Sequence, residues 1–153
     1  MELLSEKLNG RDPHKAGLAL LEKLWGDPLP EIKRTPLGKP YFPGESRYFS
    51  ISHTPGYVFC ALSDHPVGID AEELSRDIRL SLAEKILSPG EMAQFRNAPD
   101  QRKALLTFWV LKEAAGKCEG TGLQIWPNHT DFSLTDPRVR EMDGCLVAVI
   151  EKK

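Results

Sequence analysis

Residues 101–118 form a long helical pattern whose two opposite faces carry different chemistry. An α-helix has about 3.6 residues per turn, so side chains three and four positions apart share a face. One face gathers aromatic and charged side chains: Trp109, Lys112, Glu113 and Lys117. The opposite face is apolar: Ala104, Phe108, Leu111 and Ala115. An ordinary surface helix needs only the apolar face for packing. The pattern therefore predicts a helix that packs on one side and projects possible base, phosphate or metal contacts on the other.

The composition limits the class of protein. The chain has 153 residues, of which 41% are hydrophobic and 27% charged, with a net charge of −2. Its size allows one compact unit or two small lobes with a shared core. The near-neutral charge argues against nucleic-acid binding by bulk electrostatics. Three widely spaced cysteines without a Cys-x-x-Cys pair argue against a disulfide framework or zinc knuckle. The sequence shows neither a membrane-spanning run nor a signal peptide, so we expect a reduced, cytoplasmic protein.

The first half of the chain reads as a helix followed by strands. Helical spacing of leucines predicts an amphipathic helix over 14–25, ended by Gly26 and Pro28. Residues 27–47 are rich in proline, glycine and charge, and are expected to form an ordered loop or short extended pieces. Three strands are then predicted, at Tyr48–His53, Tyr57–Leu62 and Val67–Ala71.

The second half is mainly helical and closes with strands. We predict helices over 81–87, from Pro89 onward with Glu91 in the first turn, and over 101–118. Gly120 and Gly122 are expected to end the longest of them. Strands are predicted at 131–135 and 145–151, the second entered by an Asp-Gly turn.

Two carboxylates follow one another on a predicted strand. In Gly68-Ile69-Asp70-Ala71-Glu72, alternation sends Val67, Ile69 and Ala71 to the core and Gly68, Asp70 and Glu72 to the other face. Paired carboxylates at a strand end can hold a hard cation such as Mg²⁺ together with substrate phosphate. A solvated strand end gives the same pattern, and both interpretations stay open.

Three further features have a plain structural explanation beside a functional one. Glu113 and Lys117 have the spacing of a helix-stabilising pair. Ser52 and His53 can bind phosphate through hydroxyl and imidazole groups, or can simply begin a turn. Lys39, between Gly38 and Pro40, is either a phosphate contact or a surface lysine. The sequence lacks a Gly-x-Ser-x-Gly elbow, a Walker loop and a dinucleotide fingerprint.

The order of these motifs carries more information than any one of them. Gly38-Lys39-Pro40, Phe49–His53, Gly68–Glu72 and Trp109–Lys117 follow one another along the chain. In this order they resemble the 4′-phosphopantetheinyl transferase superfamily, and more closely its surfactin-synthetase-activating type than the small trimeric holo-acyl-carrier-protein synthases. The resemblance covers roughly residues 11–151, and the last two motifs are its specific part.

The resemblance implies an activity and a set of site residues. Such enzymes transfer the phosphopantetheine arm of coenzyme A to a serine of an apo acyl or peptidyl carrier protein and release 3′,5′-ADP. Asp70, Glu72 and Glu113 match the Mg²⁺ ligands of the family. Glu113 and Lys117 match catalytic positions, Glu113 as the simplest acceptor of the serine proton. The implied coenzyme A contacts are Lys15, Lys39, Ser52, His53, Lys112 and Lys117.

The resemblance also implies an α+β fold of two small related lobes, each made of antiparallel strands packed with helices. We expect an N-terminal lobe over 1–75, abbreviated because few residues precede the first helix, and a C-terminal lobe over 76–153, together one functional unit. Two other functions stay open. One is a non-catalytic relative that binds coenzyme A or a carrier protein, and the other is a Mg²⁺-dependent phosphohydrolase. The sequence indicates neither a nucleic-acid nor a membrane partner, and leaves the oligomeric state open.

Overall fold

The computed structural model describes residues 1–121 and 131–153. Its strands, in chain order, are β1 (Glu2–Lys7), β2 (Lys33–Arg34), β3 (Pro40–Tyr41), β4 (Tyr48–His53), β5 (Tyr57–Ser63), β6 (Val67–Glu73), β7 (Val139–Met142) and β8 (Cys145–Glu151). Its helices are α1 (Pro13–Trp25), α2 (Ala83–Ile86), α3 (Pro89–Asn97) and α4 (Gln101–Glu119), with a 3₁₀ turn at Leu80–Leu82. Antiparallel sheets and packed helices make an α+β fold, as predicted.

The first sheet has the order β1-β5-β4, with antiparallel pairing throughout, and α1 packs on it. The helix begins after Asp12, whose carboxylate accepts the Lys15 N–H at 2.9 Å, and Pro13 opens its first turn. Leu20 and Leu21 of α1 are buried against Phe49 and Val58 of the sheet. The leucine spacing seen in the sequence therefore marks the face that packs, and the predicted helix is confirmed.

The second sheet has the order β6-β8-β7, also antiparallel, and α4 packs on it. Asp100 caps the start of α4 through the Lys103 N–H, and Gly120 ends it with a left-handed φ of +78°. The predicted boundary between the two lobes lies at residue 75. β6 lies before that residue, but it pairs with β8 of the second sheet. The abbreviation of the first lobe stays a prediction.

The two sheets meet where β4 lies beside β6, and serine side chains form the connection. Ser50 Oγ accepts the Ile69 N–H and Ser52 Oγ accepts the Ala71 N–H, both at 3.1 Å. The serine hydroxyls thus take the place that main-chain carbonyls hold in a regular strand pair. Val67, Ile69 and Ala71 face a buried core shared with β5 and β8, as the alternation predicted.

Gly68 allows α4 to approach β6 closely. A Cβ atom at this position would lie 2.0 Å from the Ala114 carbonyl oxygen and 2.4 Å from the Cys118 nitrogen. Any side chain here would therefore separate the helix from the strand. This contact brings the face of α4 that carries Glu113 and Lys117 onto the same side of β6 as Asp70.

Some sequence predictions differ from the structure. Residues 131–135 are not a strand, and the strand in this part of the chain is Val139–Met142 instead. β1 was not predicted, and the helix expected over 81–87 is reduced to the 3₁₀ turn and the single turn of α2. Gly122 lies outside the described residues.

The cysteines Cys60, Cys118 and Cys145 are buried free thiols. None of the helices described is both long and apolar enough to cross a membrane.

Candidate functional site

Asp70 lies on β6, where the first sheet meets the second, and only 7% of this residue is exposed. Its Oδ1 atom is 3.3 Å from Lys117 Nζ and 3.5 Å from Ser52 Oγ. Its Oδ2 atom is buried and has no hydrogen-bond partner among the described residues. Burial raises the pKa of Asp70 to about 7, against the opposing effect of Lys117, and the charges of Glu113 and Glu72 raise it further. An unsatisfied carboxylate oxygen in such a place is costly unless a cation or proton meets it.

Lys117 extends from α4 into the junction of the sheets. Its ammonium donates to the Ile69 carbonyl at 2.9 Å and lies 3.4 Å from the Ile51 carbonyl. About a third of its side chain is exposed. Lys117 therefore joins β4, β6 and Asp70, and still reaches solvent.

The other two carboxylates differ in how firmly they are held. Glu72 Oε1 accepts hydrogen bonds from Arg76 at 2.6 Å and from the Trp109 indole N–H at 3.2 Å. Glu113 is half-buried, and burial raises its pKa, opposed by Lys117 and assisted by Glu72. The charges of Glu72 and Glu113 thus both act on Asp70, while the binding of one Mg²⁺ ion by the three carboxylates stays a prediction.

The carboxylates of Asp70, Glu72 and Glu113 are of a chemical type that suits a hard divalent cation. Carboxylate oxygens are the ligands that Mg²⁺ prefers, and the unsatisfied Oδ2 of Asp70 offers one. Within residues 1–121 and 131–153, however, no three His, Cys, Asp or Glu side chains lie close enough to form a finished metal site. The salt bridge from Arg76 engages one oxygen of Glu72, Oε1, at 2.6 Å.

A cleft of about 620 Å³ opens beside these residues. Its walls come from α1, the β2–β3 hairpin, β4 and the last turn of α4. The polar side chains that line it are mostly basic or imidazole groups: His14, Arg34, Lys39, His53 and Lys117. The cleft therefore suits an anionic ligand with some apolar surface, which would contact Leu18, Ile32 and Leu37.

Residues 66–144, about half of the chain, match the model of the 4′-phosphopantetheinyl transferase superfamily. The chain belongs to this superfamily. The match includes both motifs on which the sequence resemblance mainly depends, the Asp-x-Glu strand and the Trp109–Lys117 helix.

Curated relatives agree with this membership of the 4′-phosphopantetheinyl transferase superfamily. The chain is 34% identical over 96 residues to the 4′-phosphopantetheinyl transferase gsp of Aneurinibacillus migulanus, covering 61% of this chain and 40% of the relative. It is 33% identical over 91 residues to the 4′-phosphopantetheinyl transferase Sfp of Bacillus subtilis (strain 168), covering 58% and 40%. A putative 4′-phosphopantetheinyl transferase of Haemophilus influenzae is 34% identical over 100 residues, covering 62% and 43%. The aligned part is thus about two fifths of the length of these relatives.

Lys112 does not join the site of this superfamily member. It is fully buried and pairs with Glu91 of α3 at 2.8 Å, and it also lies over the Phe132 ring. The expectation that Lys112 contacts coenzyme A is therefore wrong in this structure. A buried ammonium needs an anionic partner, and Glu91 draws the lysine to the core side of α4.

Four other predicted coenzyme A contacts differ in how they meet the cleft. His53 is exposed and lines it, and its contact with coenzyme A stays a prediction. Ser52 is buried, and its hydroxyl bonds β6 and Asp70. Lys15 is exposed on α1, next to His14, which lines the cleft. The fourth, Lys39, lines the cleft, but its ammonium is directed to main-chain carbonyls.

Two residues that the sequence interpretation did not single out belong to the site. Arg34 lines the cleft from β2, and Arg76 binds Glu72 while its guanidinium lies 5.2 Å from the centre of the Trp109 ring. Arg34 precedes the Gly38-Lys39-Pro40 motif in a Lys-Arg pair, which was a usable signal. Arg76 has the i, i+4 spacing from Glu72 but lies past the end of the strand, so no periodic pattern marks it.

Proposed function

We propose that this protein transfers the 4′-phosphopantetheine arm of coenzyme A to a serine of an apo acyl or peptidyl carrier protein, and releases 3′,5′-ADP. The observation that carries the proposal is the position of Asp70 and Lys117. A buried carboxylate, one oxygen of which has no hydrogen-bond partner in the described parts of the chain, lies against a lysine that lines the anion-suited cleft. Membership of the superfamily and the names of the curated relatives support the same reaction.

The cleft supports coenzyme A as the donor substrate. Its basic and imidazole groups suit phosphate oxygens, and its apolar wall from Leu18 and Ile32 suits the less polar parts of the molecule. We assign phosphate contacts to Lys117, His53 and Arg34. His14, beside Lys15 at the start of α1, adds an imidazole to the same lining.

Two residues of α4 would do the chemical work. Glu113 would accept the proton of the carrier serine, and the rise in its pKa from burial makes it a better base near neutral pH. Lys117, one helical turn further, would offset the negative charge that develops on the departing phosphate. Both side chains project from one helix, and the close contact at Gly68 fixes that helix against β6, so their position relative to Asp70 is held.

Mg²⁺ would be held by Asp70 and Glu113, with Glu72 as a third ligand. When bound, it would neutralise charge on the pyrophosphate and improve the leaving group. Arg76 and Trp109 both bond to Oε1 of Glu72, so the other oxygen of this carboxylate is the one that would serve as a ligand.

The test is to incubate the protein with coenzyme A, Mg²⁺ and several apo-carrier proteins, and to weigh the intact carriers by mass spectrometry. We expect one phosphopantetheine group to be added to a carrier serine, with release of 3′,5′-ADP. Binding of coenzyme A without transfer to any carrier would contradict the proposal and identify a binding protein. Release of phosphate without a carrier would identify a phosphohydrolase.

A further inference from the structure

The Lys39 ammonium makes three contacts with main-chain oxygens. Nζ lies 2.7 Å from the carbonyl oxygen of Lys117, 2.8 Å from that of Cys118 and 3.3 Å from that of Val67. A lysine ammonium has three N–H donors and no acceptor. All three donors of Lys39 are therefore directed at the protein's own backbone.

Two of the three oxygens that Lys39 binds lie at the C-terminal end of α4, and that of Lys117 also accepts the Gly120 N–H at 3.2 Å. The last carbonyls of a helix lack partners within the helix, and they form the negative end of its dipole. Lys117 and Cys118 belong to the final turn of α4, which Gly120 ends. A Cβ atom on Gly120 would lie 3.3 Å from Lys39 Cδ, so the lysine stem packs directly on this glycine. Burial lowers the pKa of Lys39, as expected for an ammonium withdrawn from water.

The backbone of Lys39 is fixed as firmly as its side chain. Lys39 lies in the hairpin between β2 and β3, where its N–H donates to Thr35 Oγ1 at 3.0 Å and its carbonyl accepts the Thr35 N–H at 2.8 Å. Arg34 closes the same hairpin by donating to the Gly38 carbonyl at 2.9 Å. The hairpin supplies Arg34 and Leu37 to the cleft wall. Lys39 is thus the link between this wall and the helix that carries Lys117.

We propose that Lys39 is a positioning residue and not a phosphate ligand. It joins the β2–β3 hairpin to the C-terminal turn of α4, and so fixes the cleft wall relative to Lys117. The proposal rests on the proposed transferase function for its consequence in catalysis, but the link itself is a property of the fold. It replaces the expectation that Lys39 binds a phosphate of coenzyme A.

The experiment compares Lys39→Met with Lys33→Met. Lys33 is an exposed lysine on the same hairpin, so both variants lose one positive charge there but only the first loses the link. A hydrogen bond from a charged group is worth enough that its loss speeds local opening by about tenfold or more. We expect Lys39→Met to raise amide hydrogen exchange of the hairpin and of the last turn of α4 by about that factor, and Lys33→Met to leave it unchanged.

Kinetics give a second readout, at a temperature where both variants are folded. We expect kcat for transfer to fall in Lys39→Met, while KM for coenzyme A keeps the wild-type dependence on salt concentration. A lost phosphate contact would instead raise KM and weaken its salt dependence. That result, or hydrogen exchange equal to that of Lys33→Met, would overturn the proposal.

Lys39→Gln keeps N–H donors on a shorter uncharged side chain, and serves if Lys39→Met fails to fold. A positioning role predicts that Gln restores part of the exchange protection and of kcat, whereas a Gln variant with neither restored would contradict that role. If the wild-type protein transfers nothing to any carrier, the proposed function fails, but the exchange comparison still decides the role of Lys39.

Discussion

Asp70 lies where burial opposes its own charge. Its side chain is enclosed by β4, β6 and α4, and its Oδ2 atom has no partner within the described residues. The raised pKa measures how strongly this environment disfavours the carboxylate. The same residue therefore weakens the fold at neutral pH and would provide the charge that a bound cation needs.

This conflict predicts a pH-dependent gain in stability for Asp70→Asn in the presence of a chelator. The pKa is about 7 in the folded protein and 3.8 in its ordinary range, so the unfolded chain loses this proton first. Wild-type stability then falls as the pH rises from about 4 to 7, by up to about 4 kcal/mol. We expect urea unfolding to show a gain for Asp70→Asn that is about 2–3 kcal/mol larger at pH 8 than at pH 5.

Asp136→Asn is the matched control for that measurement. The hydrogen bond from Arg138 lowers the pKa of Asp136, so its charged form stabilises the folded protein above the ordinary pKa. This variant should lose stability at both pH 5 and pH 8. An Asp70→Asn gain of equal size at the two pH values would show that burial does not raise the pKa of Asp70.

Glu113→Gln tests the assignment of the base. The amide keeps the shape and lacks the proton acceptor, so we expect the transfer rate to fall by roughly 10²- to 10⁴-fold. The free energy of unfolding should change little, because Glu113 is only half-buried. Intact-mass measurement of the carrier over time gives the rate, and a circular dichroism melt checks the fold. A rate near that of the wild type would remove Glu113 from the mechanism.

For single residues, the sequence predicts the chemical type of a site better than it predicts where each side chain lies. The resemblance carried by the motif order predicted Asp70, Glu72 and Glu113 as one group, and the strand and helix that carry them are present, but their binding of a metal ion stays a prediction. Lys112 was misplaced because a helical projection puts it beside Glu113. Its buried partner Glu91 comes from another helix, and no local pattern can reveal a pairing between α3 and α4.

Among the elements, the contact of β6 with α4 depends on one glycine. In Gly68→Ala the new methyl group would meet the backbone of α4 at 2.0 Å, and backbone cannot move aside as a flexible side chain does. We expect a loss of about 3 kcal/mol or more in the free energy of unfolding by urea, together with loss of transfer.

Gly56→Ala is the control for crowding at a glycine. A Cβ atom there would meet only Glu73 Oε1, at the ordinary distance of 3.7 Å. We expect no loss of stability in this variant. If Gly68→Ala were equally harmless, the close approach of helix and strand would not be a requirement of the fold.

The ion pair between Lys112 and Glu91 joins α4 to α3. Both side chains are fully buried, and Glu91 also accepts the Ser88 and Phe132 N–H groups. Lys112→Met leaves a buried carboxylate without its cation, which should cost about 3–5 kcal/mol in urea unfolding. Adding Glu91→Gln should recover part of that loss, as a double-mutant cycle would show.

The same variant separates two roles for Lys112. Since Lys112 is turned away from the cleft, KM for coenzyme A should match that of the wild type at a temperature where Lys112→Met is folded. An increase in KM of tenfold or more with unchanged stability would restore Lys112 to the coenzyme A contacts.

The sequence predicted those elements that have strong local signals. Ser88 and Glu91 form a capping box, which explains why the start of α3 was predictable. β1 was missed because its residues are mostly half-buried and show no clear alternation, so its pairing with β5 alone defines it. Residues 131–135 have strand-like composition, but Glu91 and Gln94 bind their backbone, and this holds the segment as a loop.

For the whole molecule, binding of a ligand at the candidate site should stabilise the fold. A ligand present at 100 times its Kd adds about 2.7 kcal/mol. In a chain of this size that corresponds to a rise in Tm of roughly 5–10 °C. We expect coenzyme A with Mg²⁺ to produce such a rise in the wild type, measured by differential scanning fluorimetry, and a much smaller one in Asp70→Asn. Equal rises in both proteins would mean that Asp70 takes no part in binding.

The two serine hydroxyls between β4 and β6 have a mechanical consequence. Each sheet keeps its own ladder of main-chain bonds, so the hydrogen bonds that join β4 to β6 come from the side chains of Ser50, Ser52 and Lys117. The cleft takes its walls from both halves, and a shift at the border would change its width directly. The width of the cleft thus depends on a border held by side chains, next to the residues that would handle the pyrophosphate.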